Sequence, residues 1–105
     1  MTYTGVIRIY YDKDNLKLKE EYFVINGKKE GIYKSYYDSG ELWEEINYID
    51  GKINNIYKKY DIKQNLIQEI NYVNNKINGY YITYHPNGIL REQVYYKDDK
   101  KTVRN

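Results

Sequence analysis

GIYKSYYDSGELWEEINYIDGK, residues 31 to 52, runs from a Gly through spaced aromatics to a turn, then through Leu and carboxylates to a second Gly-Lys. The stretch recurs. Gly31-Ile32-Tyr33-x-x-Tyr36 returns as Asn55-Ile56-Tyr57-x-x-Tyr60 and as Gly79-Tyr80-Tyr81-x-x-Tyr84, a step of 24 residues each time. The second half keeps that step in the columns Leu18, Leu42, Leu66, Leu90 and Glu20, Glu44, Gln68, Glu92. Val24, Tyr48, Tyr72 and Tyr96 follow it, and Lys28, Lys52, Lys76 and Lys100 close each copy. Self-similarity at a fixed period is the mark of a repeat architecture. The copies span 5–30, 31–54, 55–78 and 79–101, with 102–105 as a tail, in one repeat domain over 1–105.

The first copy opens at Gly5, 26 residues before Gly31, while its Leu18 lies 24 before Leu42. The two extra residues fall in Asp12-Lys13-Asp14-Asn15, and insertions belong in loops. Each copy therefore turns between its aromatic half and its Leu-Glu half. Asp38-Ser39-Gly40-Glu41 and His85-Pro86-Asn87-Gly88 supply turn chemistry at that point. Each copy reads as a β-hairpin.

Composition agrees. The chain has 105 residues and a hydrophobic fraction of 41%, but 16 of those residues are Tyr, and Phe and Trp occur once each. Ala, the best helix former, is absent, whereas Ile, Tyr, Val and Thr suit a pleated, half-buried surface. Hairpins that bury little alone must pair edge to edge in sequence. The expected fold is all-β: an elongated, single-layer antiparallel meander of tandem β-hairpin repeats, about four repeats and about eight strands.

With Ser39-Gly40 as the loop, Tyr37 is expected opposite Leu42, Ser35 opposite Glu44 and Tyr33 opposite Ile46. The other face then carries Ile32, Lys34, Tyr36, Trp43, Glu45 and Ile49, with Lys34 opposite Glu45 as a cross-strand pair. The third copy departs from this scheme. Asn55 replaces Gly, and Gln64 stands where the others have Gly40 and Gly88. That predicts either a shifted loop with Asn65 in the strained position or a wider hairpin. Asp98-Asp99 replaces the Asp50-Gly51 pair, as a polar terminal cap would.

The run Asn26-Gly27-Lys28-x-x-Gly31-x-Tyr33-x-x-Tyr36-Tyr37-x-x-Gly40-x-Leu42-x-Glu44-Glu45 resembles the MORN-repeat variant family, including the bacterial YwqK-type antitoxin and immunity proteins. The resemblance spans about Thr4 to Lys101. It implies a non-enzymatic β-hairpin array used as a binding surface, for neutralising a toxin, scaffolding proteins or contacting phospholipid.

The residues offer little for catalysis, and no enzyme activity, cofactor or metal is expected. The one histidine, His85, precedes Pro86 in a turn, whereas general-base use needs an oriented partner. Glu44 and Glu45 are adjacent, so on a strand they point to opposite faces. Glu20, Glu44, Gln68 and Glu92 form a row that Lys or Tyr neighbours offset. No His or Cys cluster has ligand spacing. With no Cys there is no disulfide framework.

Function is therefore sought on a surface. Trp43 replaces Lys19, Ile67 and Arg91 in its column and is not demanded by the repeat; Trp, Tyr and Arg dominate interface hot spots. The expected partner-binding patch is Trp43 with Tyr36, Tyr60, Tyr84, Ile67 and Arg91 on one face, flanked by Lys34 and Lys58. The expected partner is a protein, a toxin or a defence enzyme that the chain inhibits stoichiometrically. The alternatives are a scaffold that self-associates through edge strands and a repeat protein that binds anionic lipid or nucleic acid. The balance of 17 basic against 15 acidic residues argues against nucleic acid and anionic lipid. The N-terminus has no apolar run of signal-peptide length, and the expected location is the cytoplasm.

Overall fold

Residues 2–14 and 16–102 are described in the computed structural model of the chain; Asn15 of the insertion, and all of the expected tail but Thr102, lie outside the described residues. The strands are β1 (Gly5–Tyr10), β2 (Leu18–Ile25), β3 (Lys28–Lys29), β4 (Gly31–Tyr36), β5 (Leu42–Ile49), β6 (Lys52–Ile53), β7 (Asn55–Tyr60), β8 (Leu66–Val73), β9 (Lys76–Tyr84), β10 (Leu90–Lys97) and β11 (Lys100–Lys101). All eleven belong to one open antiparallel meander, in which β3 and β6 pair back onto β2 and β5. Three strands are only two residues long, which leaves the eight long ones expected from the repeats. The sheet measures 53 × 34 × 14 Å, so no second layer covers either face.

Two kinds of turn line its two margins. Along one, Asn26-Gly27, Asp50-Gly51, Asn74-Asn75 and Asp98-Asp99 all hold positive φ at both residues, the geometry of a two-residue type I′ hairpin. Asp and Asn tolerate it because their short side chains bond locally. Asp98-Asp99 thus turns as the Gly-containing copies do, and leads into β11. Each tight turn also locks onto the hairpin before it: Gly51 N donates to Lys29 O at 2.8 Å, Asn75 N to Ile53 O and Asp99 N to Ile77 O, both at 2.9 Å.

Along the other margin, Tyr37 N donates to Glu41 O and Gly40 N to Tyr37 O, both at 2.9 Å. This is a three-residue loop closed by a residue in the left-handed region, Gly40 at φ 105°. It corrects the expected register. Tyr37 meets Glu41, and Leu42 pairs with Tyr36; the pairs Tyr33 with Ile46, Lys34 with Glu45 and Ser35 with Glu44 are as expected. The third copy is corrected too. Gln64 itself takes the left-handed position, at φ 67°, and closes the same loop by donating to Asp61 O. Neither a shift to Asn65 nor a wider hairpin occurs, because the side chain of Gln64 finds partners that hold it there, as described below.

Each pairing from β4 to β5, β7 to β8 and β9 to β10 carries one β-bulge. The partner of Ser35 is Glu44 but that of Tyr36 is Leu42, so Trp43 is skipped. Ile67 and Arg91 are skipped in the same way, as is Lys19 between β1 and β2. The column Lys19, Trp43, Ile67, Arg91, which holds a different residue in each copy, is therefore left out of the ladder.

The buried residues Val24, Tyr33, Ser35, Ile46, Ile70 and Thr83 all fall on one face by alternation and register. Across the strands this packed face reads Ile7, Tyr22, then Tyr33, Ile46, then Tyr57, Ile70, Tyr81, Val94. Tyr serves here because its ring covers the sheet while its hydroxyl reaches a polar partner. That partner recurs thirteen residues earlier. Tyr33 Oη donates to Glu20 Oε1 at 2.5 Å, Tyr57 Oη to Glu44 Oε2, and Gln68 Nε2 donates to Tyr81 Oη at 2.9 Å. The carboxylate row is thus an inter-repeat clasp. Burial and the adjoining carboxylates push the Tyr33 and Tyr57 hydroxyls well above the ordinary tyrosine range.

Candidate binding surface

The opposite face is open. One row along it pairs Arg8 with Glu21, Glu21 with Lys34, Lys34 with Glu45, Glu45 with Lys58 and Lys58 with Glu69, so charge alternates on six successive long strands. Arg8 and Glu21 close to 2.8 Å, and that contact raises the arginine further above its usual pKa. Opposite charges facing across strands stabilise the register while leaving the row near neutral.

Two residues along each strand lies a mixed row in which Val6 pairs with Phe23, Ile32 with Asn47, Ile56 with Asn71 and Tyr80 with Tyr95, so that Asn47 and Asn71 alternate with the apolar side chains across its middle. Phe23 is 39% exposed, Ile32 49% and Ile56 41%, with Ile25, Ile49 and Val73 exposed in the row beyond. Exposed apolar side chains gathered on one face and edged by charge make this face the candidate for an interaction surface. Its signal was present in the sequence as the columns Ile32, Ile56, Tyr80 and Ile25, Ile49, Val73. The missing information was which face the tyrosines would close.

The expected patch is divided between the faces. Lys34 and Lys58 stand in the charged row of the open face. Tyr36, Tyr60 and Tyr84 alternate onto the same side, and Tyr84 Oη donates to Glu69 Oε1 at 3.3 Å. Trp43 does not join them. Its indole stacks on Tyr37 with ring centroids 5.5 Å apart and planes at 30°. Ile67 and Arg91 line a hollow with Lys59, Gln68, Tyr81 and Thr83, residues of the packed face, and with Tyr84, the one tyrosine of the expected patch that they meet. The bulge is the cause: an extra residue inverts the alternation and re-aims its side chain. Lys19 repeats the arrangement, with Nζ 5.5 Å from the centroid of the Tyr11 ring. Tyr11 and Tyr37 in turn donate to Tyr36 O at 2.6 Å and Tyr60 O at 2.7 Å in the following hairpin.

Lys29 is a feature not anticipated from the sequence. Its Nζ lies 5.0 Å from the ring centroids of Tyr22 and Tyr33 and 5.1 Å from that of Tyr48, a cation held by three aromatic faces. The sequence signal was a joint departure. Tyr22 stands in the Ile46, Ile70 column and Lys29 in the Ile53, Ile77 column.

His85 lies exposed in its loop, where its backbone N donates to Ile89 O at 2.9 Å. Among the described residues no group of three or more His, Cys, Asp or Glu is placed to hold a metal ion. No helix of the described residues is long and apolar enough to cross a membrane.

Residues 29–50 and 77–98 each match the family profile described as MORN repeat variant. The two segments lie 48 residues apart, two of the 24-residue steps, and each covers a wide loop with its flanking long strands. Searches of curated proteins and of solved structures find no match. In these two segments the chain is similar to repeats that are generally binding modules, for proteins or for membrane lipid.

Proposed function

We propose that this chain is a non-enzymatic module that binds a protein partner on its open face and neutralises it stoichiometrically, in the manner of an immunity protein or of an inhibitor of a defence enzyme. The observation that carries this reading is the set of exposed apolar side chains Phe23, Ile32 and Ile56 on one face, beside a row of alternating charge. A protein surface matches both features, with apolar side chains against that set and paired charges against the ladder. An anionic membrane or nucleic acid matches neither, because every basic residue in that ladder has an acidic neighbour. The carboxylates most suggestive of acid-base chemistry, Glu20 and Glu44, are engaged by tyrosine hydroxyls of the next hairpin.

The test is affinity capture from host lysate with the tagged wild type and with an Ile32→Lys, Ile56→Lys double variant. The expected result is one protein at near-equal amount with the wild type, lost with the variant, whose activity falls when the wild-type chain is added back. Capture of the chain alone, or of material that salt removes, contradicts the reading. Self-association through the exposed edge of β1 is the second reading, favoured by the open sheet; a mass that grows with concentration would reveal it.

A further inference from the structure

Gln64 occupies a position that Gly fills in the second and fourth hairpins, and its side chain does something specific there. Leu42 N donates to Gln64 Oε1 at 3.1 Å, and Gln64 Nε2 donates to Leu42 O at 2.7 Å and to Asp61 O at 3.2 Å. A single carboxamide thus satisfies both backbone groups of Leu42, as a neighbouring strand would. The main-chain pairing of β5 with β7 ends at Glu44 and Lys59, short of this point. The amide therefore fills a gap where the two hairpins diverge towards their wide loops.

One step along the array the gap is the same and the plug is missing. Leu66 occupies the position of Leu42, and Gly88, at φ 89°, occupies the position of Gln64. Pairing of β8 with β9 ends at Gln68 and Thr83. An open hollow of about 570 Å³ lies there, lined by Gln64, Asn65, Leu66, Tyr84, Asn87 and Gly88 among others. A Cβ built on Gly88 meets nothing within 4 Å. A second hollow of about 410 Å³ adjoins Leu18 and Gly40, again where the position of Gln64 is held by Gly.

We propose that the hollow beside Gly88 receives a carboxamide side chain, Gln or Asn, of the protein partner, which bonds the backbone of Leu66 as Gln64 bonds that of Leu42. The chain itself displays the ligand chemistry and the geometry of its receptor. A carboxamide offers one acceptor and two donors on a planar group, whereas a carboxylate offers acceptors alone and an ammonium donors alone. Leu66 and Tyr84 supply the apolar wall for the methylenes of the entering side chain. This inference rests on the protein-partner reading above only for the source of the amide.

The receptor is tested on the full isotope-labelled chain by nuclear magnetic resonance, with N-acetyl-glutamine methylamide as probe and N-acetyl-glutamate methylamide as control at neutral pH. The expected result is a saturable shift of the Leu66 and Gly88 amide signals with the first probe and none with the second. Gly88→Gln should abolish that response and slow exchange of the Leu66 amide proton about tenfold, its own side chain now filling the hollow. Gln64→Gly should open a further responsive site at Leu42, beside the one at Leu66 and the equivalent hollow at Leu18. Equal responses to both probes, no saturable shift at Leu66, or an unchanged Leu66 exchange rate in Gly88→Gln would overturn the proposal. Loss of a captured partner in Ile32→Lys, Ile56→Lys but full retention in Gly88→Gln would also overturn it, while leaving the open-face reading standing. Failure of capture altogether removes that reading without touching the probe response.

Discussion

Tyr33 Oη donates to Glu20 Oε1 at 2.5 Å, from one hairpin to the one before it. A sheet of one layer buries little, so contacts of this kind between successive hairpins are what keep it cooperative. Tyr57 repeats the contact to Glu44, which also accepts from Ser35 Oγ at 3.0 Å. Tyr33→Phe and Tyr57→Phe should each cost about 1.5–3 kcal/mol, the range for a hydrogen bond to a charged group. Tyr81→Phe, which loses a bond to the neutral Gln68, should cost about 0.5–1.5 kcal/mol. Urea denaturation checks the order; a Tyr81 variant as damaged as the other two would contradict it.

The same hydroxyls set the alkaline limit. Burial, then the hydrogen bond to the neighbouring carboxylate, raises Tyr33 and Tyr57 above the pKa of about 10 that an unfolded tyrosine has. Below about pH 10 both states keep the proton and the full stability is present. Above it the unfolded chain ionises first, so stability falls as pH rises towards the folded values. Melting followed from pH 8 to 11.5 should show a midpoint steady to about pH 10 and declining beyond. Tyr33→Phe should soften that decline, and an unchanged slope would count against the assignment.

Gln64 combines a strained backbone with a useful side chain. A non-Gly residue in the left-handed region costs about 1–2 kcal/mol, which the bonds to Leu42 offset. Gln64→Ala keeps the strain and loses the bonds, so it should be less stable by about 1–2 kcal/mol. Gln64→Gly loses both and should remain within about 0.5 kcal/mol of the wild type. Thermal melts that place Gln64→Ala level with the wild type would show that the side chain contributes nothing, and melts that rank Ala at or above Gly would show that the backbone there is not strained.

Thr83 Oγ1 is a buried hydroxyl with no hydrogen-bond partner among the described residues. Its counterpart Ser35 donates to Glu44, but Glu92, which pairs with Thr83, is exposed. Thr83→Val keeps the shape and removes an unsatisfied group, so it should stabilise the fold by about 1 kcal/mol. A loss of stability would mean that the hydroxyl is satisfied in solution.

Much of this was legible in the sequence because a repeat states its register several times over. The 24-residue step in the Tyr33, Leu42 and Glu44 columns is enough to give hairpins, a meander and the pairing of Lys34 with Glu45. The bulge was not legible. Alternation counted from the loop assigns Trp43 to the face of Lys34, and one skipped residue moves it onto Tyr37. Gln64 misled for a related reason: backbone preference alone argues against it, and the bonds that hold it come from the preceding hairpin. Which face is open followed from the tyrosine clasp, a tertiary contact that no single strand displays.

The most direct measurement of the central claim is the affinity of the captured partner for three versions of the chain: wild type, Ile32→Lys with Ile56→Lys, and Trp43→Ala. The two Ile lie on the open face, whereas Trp43 stacks on Tyr37 beside the wide loop. Burying an unpaired lysine charge in an apolar contact costs about 2 kcal/mol or more. The expected result is affinity reduced at least thirtyfold by the double substitution and less than threefold by Trp43→Ala, with both variants folded. Full affinity in the double variant with loss in Trp43→Ala would contradict the open-face account and place the partner on the other side of the sheet.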